Sequence, residues 1–206
     1  TKQEKNWILY DVGNSAFTLL AATILPIYFN YIAGKQGLSD VQYLAYWGYA
    51  VSIATLLTAL AGPVFGTVAD TKGYKKPVFT IALGIGAIAS VALGFAKYWL
   101  AFLVVFVIAK VGYSVTLVFY DSMLVDVTLE DRMDEVSSQG YAWGYIGSCV
   151  PFVASLGLIL GAGAIGISGT VAMMIAFFIN AAWWVVVTLP LLRNYQQKYY
   201  VEAGGT

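Results

Sequence analysis

The sequence predicts an all-α, polytopic membrane protein with six transmembrane helices. Three observations lead to this fold class: 60% of the 206 residues are hydrophobic, only 11% are charged, and the apolar residues form six long runs. Soluble domains carry about 25% charged residues. A domain of this size cannot bury so much apolar surface away from water. We therefore expect the chain to lie in a lipid bilayer.

The six runs define the predicted helices. A transmembrane helix needs about 20 mostly apolar residues, and lipid favours helices because it offers no partner to bare backbone groups. The predicted spans are residues 7–33, 41–69, 77–96, 99–127, 137–162 and 169–192. The connectors between them are short, which predicts that consecutive helices are antiparallel neighbours. Residues 1–206 then form a single six-helix transmembrane domain.

The distribution of lysine and arginine predicts the orientation. If the N-terminus is cytoplasmic, the outer side carries only Lys35 and Lys97. The cytoplasmic side then carries Lys2, Lys5, Lys72, Lys75, Lys76, Arg132, Arg193 and Lys198. Cytoplasmic loops hold an excess of basic residues. We therefore predict an integral protein of the cell (inner) membrane with both termini in the cytoplasm.

Composition also argues against several classes of function. The formal net charge is zero, whereas a nucleic-acid-binding protein is expected to carry a basic surface. The chain has no histidine and a single cysteine, Cys149, so we expect neither a metal site nor a disulfide. No hydrolase signature and no nucleotide-binding loop is present. We therefore expect a protein that is not an enzyme and that holds no cofactor.

Three Gly-x-x-x-Gly pairs lie in the predicted spans, at residues 62 and 66, 140 and 144, and 157 and 161. This spacing lets the backbones of two helices approach closely. We interpret all three pairs as contacts within a compact helical bundle.

The second connector, residues 66–76, carries the strongest local motif. Asp70 lies near a helix C-terminus, where the helix dipole disfavours an anion, so a nearby cation is expected. Gly73 permits a sharp turn, and Lys75 begins the next helix beside another lysine. An ordinary basic cytoplasmic loop is the alternative interpretation. Arg132, in the other long cytoplasmic connector, is the predicted partner of Asp70.

This motif resembles the loop between the second and third helices of the major facilitator superfamily. The similarity covers Gly66, Asp70, Gly73 and the basic pair, and the motif departs from the family pattern at Thr71 and Tyr74. In the superfamily this loop stabilises one state of the alternating-access cycle. The resemblance therefore implies a conformational gate, made of Gly66, Asp70, Gly73, Lys75 and Arg132.

Residues 10–17, 117–124 and 136–147 are similar to the vacuolar effluxer-like branch, whose best-known members export amino acids from vacuoles. The resemblance implies the N-terminal six-helix half of a transporter, built from two three-helix inverted repeats. It also implies a small, amino-acid-like substrate. A second six-helix half is then required, as a homodimer partner or a separate chain, or the sequence is a truncated one.

Lys110 is the lysine that the sequence places inside a predicted span. It lies 11 residues beyond Trp99, about 16 Å along the helix and close to the bilayer centre. Ser114 and Asp121 share its helix face. Ionisable groups inside the membrane are costly and mark functional sites by default. We expect Lys110 to line a cavity, with a structural ion pair or an uncharged lysine as the alternatives.

Asp11 and Asp121 are predicted at similar depth, because the first and fourth helices run antiparallel. One of them is expected to bind a proton or cation while the other supports it, unless both only cap helices or face solvent. The complete predicted substrate or coupling-ion pathway is Asp11, Asn14, Lys110, Tyr113, Ser114 and Asp121.

These features predict a secondary active transporter that moves a small solute by alternating access. Its predicted partners are the bilayer, the solute and a second half. The alternative function is a membrane scaffold or regulatory domain that does not transport.

Overall fold

Seven α-helices build the six predicted spans in residues 1–202, the part of the chain that this computed structural model describes. The helices are α1 (Lys2–Ala22), α2 (Ile24–Lys35), α3 (Asp40–Asp70), α4 (Lys75–Ala92), α5 (Trp99–Val127), α6 (Met133–Gly161) and α7 (Gly169–Asn194). Helices α1 and α2 together form the first span. Six helical segments are long and apolar enough to cross a membrane, which confirms the predicted fold class.

Local sequence explains where the helices begin and break. Thr1 and Glu4 form a capping box that starts α1, and Ser39 and Gln42 form another that starts α3. The first span is interrupted at Thr23, three residues before Pro26. Proline has no N–H, and its ring crowds the carbonyl four residues earlier, so the helical hydrogen bonds fail at this point.

The main helix contacts interleave the two halves of the bundle. Helix α1 packs against α6 and α7, α5 packs against α3 and α4, and α4 packs against α7. This set of contacts maps onto itself when the first three spans are exchanged with the last three, whereas the α6–α7 contact, which is also extensive, has almost no counterpart between α3 and α4. Such a pattern is expected of two three-helix repeats.

Consecutive helices are not always neighbours, so part of the prediction is wrong. Helices α3 and α4 make few contacts with each other, and so do α5 and α6, although a short connector joins each pair. The reason is the interleaving. Helix α3 lies against α5 rather than against α4, and α6 lies against α1 rather than against α5, so each packs on a helix of the other repeat; α6 also packs on α7.

Helices approach closely at some glycines that lie outside the predicted Gly-x-x-x-Gly pairs, and at only one of the three predicted pairs. A methyl group on Gly112 would lie 3.0 Å from the backbone nitrogen of Gly86, so α4 and α5 meet where neither has a side chain. Only one predicted Gly-x-x-x-Gly pair, Gly140 and Gly144, makes such contacts. The other two pairs face open space within residues 1–202, so their assignment to packing inside the bundle is wrong.

Two helices leave broad apolar faces uncovered. The buried residues of α3 are three alanines, Ala50, Ala54 and Ala69. Helix α6 buries one stripe and exposes the opposite face, which includes Trp143, Ile146 and the thiol of Cys149. The glycine pairs 62 and 66 on α3, and 157 and 161 on α6, have no neighbour within 4 Å.

The N-terminus and the C-terminal end of α7 lie at one end of the bundle, which we call the basic end. There the amide of Gln3 donates to the carbonyl of Asn194, and Lys75 approaches Asp126 near the end of α5. The connectors that follow α2, α4 and α6 lie at the opposite end. At that end the Gln36 side chain bonds the backbone of Lys97 and Trp99.

Candidate functional site

A cavity of about 380 Å³ opens between α1, α5 and α6. On each helix the lining residues recur at three- and four-residue spacing, so each helix contributes one face. The lining residues are Trp7, Asp11, Asn14, Ser15, Thr18, Leu19, Ala22, Tyr113, Leu117, Tyr120, Asp121, Ser137, Tyr141, Tyr145 and Ser148. In a bundle that is otherwise apolar, this concentration of polar side chains marks the candidate site.

The structure brings four of the six predicted pathway residues into this cavity: Asp11, Asn14, Tyr113 and Asp121. Lys110 and Ser114 are not among the lining residues. The Lys110 ammonium lies 5.1 Å from the centroid of the Tyr113 ring, and it forms no ion pair within residues 1–202. Lys110 therefore reaches the cavity wall through Tyr113 and not by direct exposure.

The two cavity carboxylates are left without a cationic partner. Neither Asp11 nor Asp121 forms an ion pair with any group in residues 1–202. A carboxylate pair in a low-dielectric region generates a strong negative potential. The arrangement therefore favours the binding of a positive charge.

The glycine pair of α6 makes room for Asp11. A methyl group on Gly140 would lie 3.3 Å from Oδ2 of Asp11, and one on Gly144 would lie 2.9 Å from Oγ of Ser15. Any side chain at these positions would push α1 and its carboxylate away from α6. The packing role predicted for this pair is therefore confirmed, and the pair also shapes the site.

Aromatic rings form much of the cavity wall. Trp7 stacks on Tyr120 with 4.1 Å between ring centroids, and its indole N–H donates to the Tyr120 carbonyl at 2.9 Å. The hydroxyls of Tyr113 and Thr18 lie 2.7 Å apart. Tyr141 and Tyr145 expose most of their rings. Trp7 and Tyr141 lie near the starts of predicted spans, where aromatic residues typically form an interfacial belt, and the predicted site does not include them.

Two polar groups on the wall lack a hydrogen-bond partner. Asn14 is only 2% exposed, yet its Nδ2 has no acceptor, and the Tyr120 hydroxyl is likewise unpaired among the described residues. Buried polar groups are nearly always hydrogen-bonded, so such exceptions need a physical reason. Both residues line the cavity, but the two atoms are themselves buried, so a molecule bound there would reach them only after a side-chain rotation.

The predicted ion pair between Asp70 and Arg132 is wrong. Arg132 Nε lies 3.1 Å from Oε1 of Glu4, and the guanidinium also pairs with Glu135 at 3.2 Å. Thr128 donates to the same Glu4 oxygen at 2.7 Å. Arg132 begins α6, which packs on α1, so it meets the acid in the first turn of α1 and not the end of α3.

Lys75 instead pairs with Asp126 in the protein interior. The two side chains are 2% and 0% exposed, and Nζ lies 3.0 Å from Oδ2. The same carboxylate accepts hydrogen bonds from the Tyr195 hydroxyl at 2.5 Å and from the backbone N–H of Lys198 and Tyr199 at 2.9 Å each. Burial, and then the bond to Asp126, raises the pKa of Tyr195, so its phenol stays protonated and donates.

Residues 195–202, which we call the closing segment, run back over the loop that follows α3. The Val201 N–H donates to the Asp70 carbonyl at 2.8 Å, and the Lys72 N–H donates to the Val201 carbonyl at 3.1 Å. The Gly73 N–H donates to Oε1 of Gln197 at 3.0 Å. Gly73 has φ +79, which favours glycine and confirms the predicted sharp turn.

The predicted gate is thus held by a segment that follows the last predicted span and was not part of the predicted gate. The closing segment contacts the backbone of Asp70 and Gly73 and shares the Asp126 carboxylate with Lys75. Gly66 faces open space, and the Asp70 side chain is exposed.

Comparison with known proteins decides the family. The model of the Major Facilitator Superfamily matches residues 12–203. The chain belongs to the major facilitator superfamily. The six apolar spans and the motif at residues 66–76 are consistent with this membership, and the superfamily is one of membrane transporters, not of enzymes.

Individual relatives within the superfamily agree. The chain is 41% identical, over 207 aligned residues and 98% of its length, to the "Uncharacterized MFS-type transporter YxiO" of Bacillus subtilis. It is 36% identical over 92 residues to the "Multidrug resistance protein MdtG" of Yersinia enterocolitica, which covers 44% of this chain and 21% of that protein. The chain spans about half the length of YxiO (48%). The vacuolar effluxer-like branch remains a prediction.

Proposed function

We propose that this superfamily chain is one half of a secondary active transporter, and that its cavity binds a small solute. The observation that supports the proposal is the polar cavity between α1, α5 and α6, which holds two unpaired carboxylates inside an apolar bundle. Intramembrane charges that face a cavity mark substrate or ion pathways. The effluxer-like segments favour an amino-acid-like solute.

The other half of the transporter is a second six-helix unit, which is another copy of this chain, a separate chain or a continuation of the same polypeptide. We propose that it covers the exposed faces of α3 and α6. Both faces are apolar, and both present unoccupied glycine pairs that allow close helix approach. The length of YxiO, about twice that of this chain, supports a two-half assembly.

Transport would proceed by rocking of the two halves around the bound solute. The closing segment ties the loop after α3 to α5 and α7, so this half is expected to move as a rigid unit. Asp11 or Asp121 carries the coupling proton or cation, and no resident cofactor takes part. The excess of lysine and arginine at the basic end favours a cytoplasmic location for both termini, in the cell (inner) membrane.

Counterflow in proteoliposomes tests this function. Vesicles that contain the chain are loaded with an unlabelled mixture of amino acids and simple amines, and the same mixture in radiolabelled form is added outside. We expect transient accumulation of label that Asp121→Asn abolishes. Asp40→Asn, at the exposed start of α3, is the matched control and should leave accumulation unchanged.

Light scattering of the detergent-extracted protein provides the second measurement. We expect the mass of a two-half assembly. A monodisperse six-helix monomer that also fails in counterflow would contradict the proposal and would favour a scaffold or regulatory role.

A further inference from the structure

The wall of the cavity carries charge of one sign. Its lining includes the carboxylates Asp11 and Asp121 but no lysine or arginine. Two basic side chains at the basic end pair elsewhere, Arg132 with Glu4 and Lys75 with Asp126. A cleft lined by one sign of charge with low-dielectric walls concentrates ligands of the opposite sign. The favoured ligand is therefore a cation.

The aromatic wall suits an organic cation better than a bare metal ion. Tyr141 and Tyr145 expose 65% and 72% of their surface, on the same helix face as the lining serines of α6. An ammonium group within about 6 Å of a Tyr or Trp ring is attracted by the negative face of the ring. The protein makes this contact itself, because the Lys110 ammonium lies over the Tyr113 ring.

The unpaired polar groups are neutral. Nδ2 of Asn14 and the hydroxyl of Tyr120 suit a neutral oxygen such as a hydroxyl, an ether or a carbonyl. A carboxylate of the solute would find no cation in this wall and would lie beside Asp11 and Asp121. Like charges in a low-dielectric site repel strongly, so an anionic or zwitterionic solute is disfavoured.

We propose that the cavity selects solutes that carry a protonated amine and no carboxylate. The ammonium lies between Asp11 and Asp121, and the apolar body of the solute packs against Tyr141 and Tyr145. This inference rests on the proposed function, since it assumes that the cavity is the solute site. Among the small solutes of the proposed function, it favours amines over the amino acids themselves.

Binding of three matched ligands tests the selection. Phenethylamine, phenylalanine and 3-phenylpropionate share a phenyl ring and a two-carbon chain, and they differ in carrying an amine, both groups or only a carboxylate. Titration calorimetry on the whole chain in lipid nanodiscs gives the three dissociation constants. We expect phenethylamine to bind about tenfold or more tightly than either of the others, because 3-phenylpropionate lacks the ammonium and phenylalanine brings a carboxylate beside Asp11 and Asp121.

Variants locate the binding group. Asp11→Asn and Asp121→Asn should each weaken phenethylamine binding by about tenfold, and Asp40→Asn should leave it unchanged. Thermal unfolding confirms that each variant is folded, and the ranking of the three ligands on the unmodified chain requires no variant at all.

Phenylalanine or 3-phenylpropionate binding as tightly as phenethylamine would overturn the ammonium selection, and so would a failure of all three to bind. Neither result bears on counterflow with the full mixture of amino acids and amines. The proposed transport function therefore fails only by its own experiment.

Discussion

Asp121 and Asp126 lie five residues apart on α5 and have opposite environments. Five residues turn an α-helix through about 500°, which leaves the two side chains about 140° apart. Asp126 faces α4 and the closing segment, where four hydrogen bonds satisfy its carboxylate. Asp121 faces α1 and α6, where it lines the cavity without an ion pair within residues 1–202. One helix thus carries a structural carboxylate and a carboxylate available to a ligand.

The same contrast separates two regions of the molecule. Around Asp126 the main chain itself, through Lys198 and Tyr199, completes the coordination of the charge. Around Asp11 and Asp121 no such partner is present, and the unpaired Asn14 and Tyr120 groups lie on the same wall. The contacts around Asp126 stabilise the fold, whereas Asp11 and Asp121 remain available to bind a ligand.

Asp126→Leu should have the largest effect on stability. It leaves the Lys75 ammonium buried without its partner, and breaking a buried ion pair costs about 3–5 kcal/mol. The measurement is the apparent unfolding temperature in detergent, which should fall sharply. The double variant Lys75→Met/Asp126→Leu should recover much of the loss, because an apolar pair of similar size replaces the ionic one. No recovery would show that the bonds to the closing segment dominate over the ion pair.

Gly144→Ala should have the next largest effect. Its methyl group would lie 2.9 Å from Oγ of Ser15, and overpacking of this kind costs about 1–3 kcal/mol. Displacement of α1 should also weaken ligand binding at Asp11. The control is Gly157→Ala on the same helix, where the added methyl meets open space. Equal unfolding temperatures for the two variants would disprove the close approach at Gly144.

Asp121→Asn should leave stability nearly unchanged while abolishing counterflow. An isosteric amide removes a charge that no cation in residues 1–202 balances, so little native interaction is lost. Thermal unfolding and counterflow on the same preparation separate the two effects. A large loss of stability would show that Asp121, like Asp126, helps to hold the fold together.

Glu202→Gln should have the smallest effect. Glu202 pairs with Lys72 at 2.7 Å, but both side chains are largely exposed, and surface pairs of this kind contribute little. The backbone bonds between Val201 and the loop after α3 stay intact in this variant. The unfolding temperature should therefore not change measurably. A clear fall would mean that the end of the closing segment is held mainly by charge.

The spans and the meeting of Asp11 and Asp121 in one cavity were predictable because both follow from hydrophobic length and antiparallel topology. The partner of Arg132 was not, because it depends on α6 packing against α1, which the sequence pattern does not reveal. The closing segment was missed because it is a short, irregular stretch without periodicity. Tyr141 was missed as a lining residue because rings near the ends of spans are equally typical of a membrane interface.

Cys149 gives the uncovered face of α6 a practical use. It is the only cysteine of the sequence, it is exposed, and it is adjacent to Ser148 of the cavity lining. A thiol-reactive fluorophore would therefore attach at one native position, and no cysteine of this sequence would have to be added or removed. Its emission colour and its protection from quenchers would differ between contact with lipid chains and contact with another protein surface. The unmodified chain thus carries a built-in reporter of assembly.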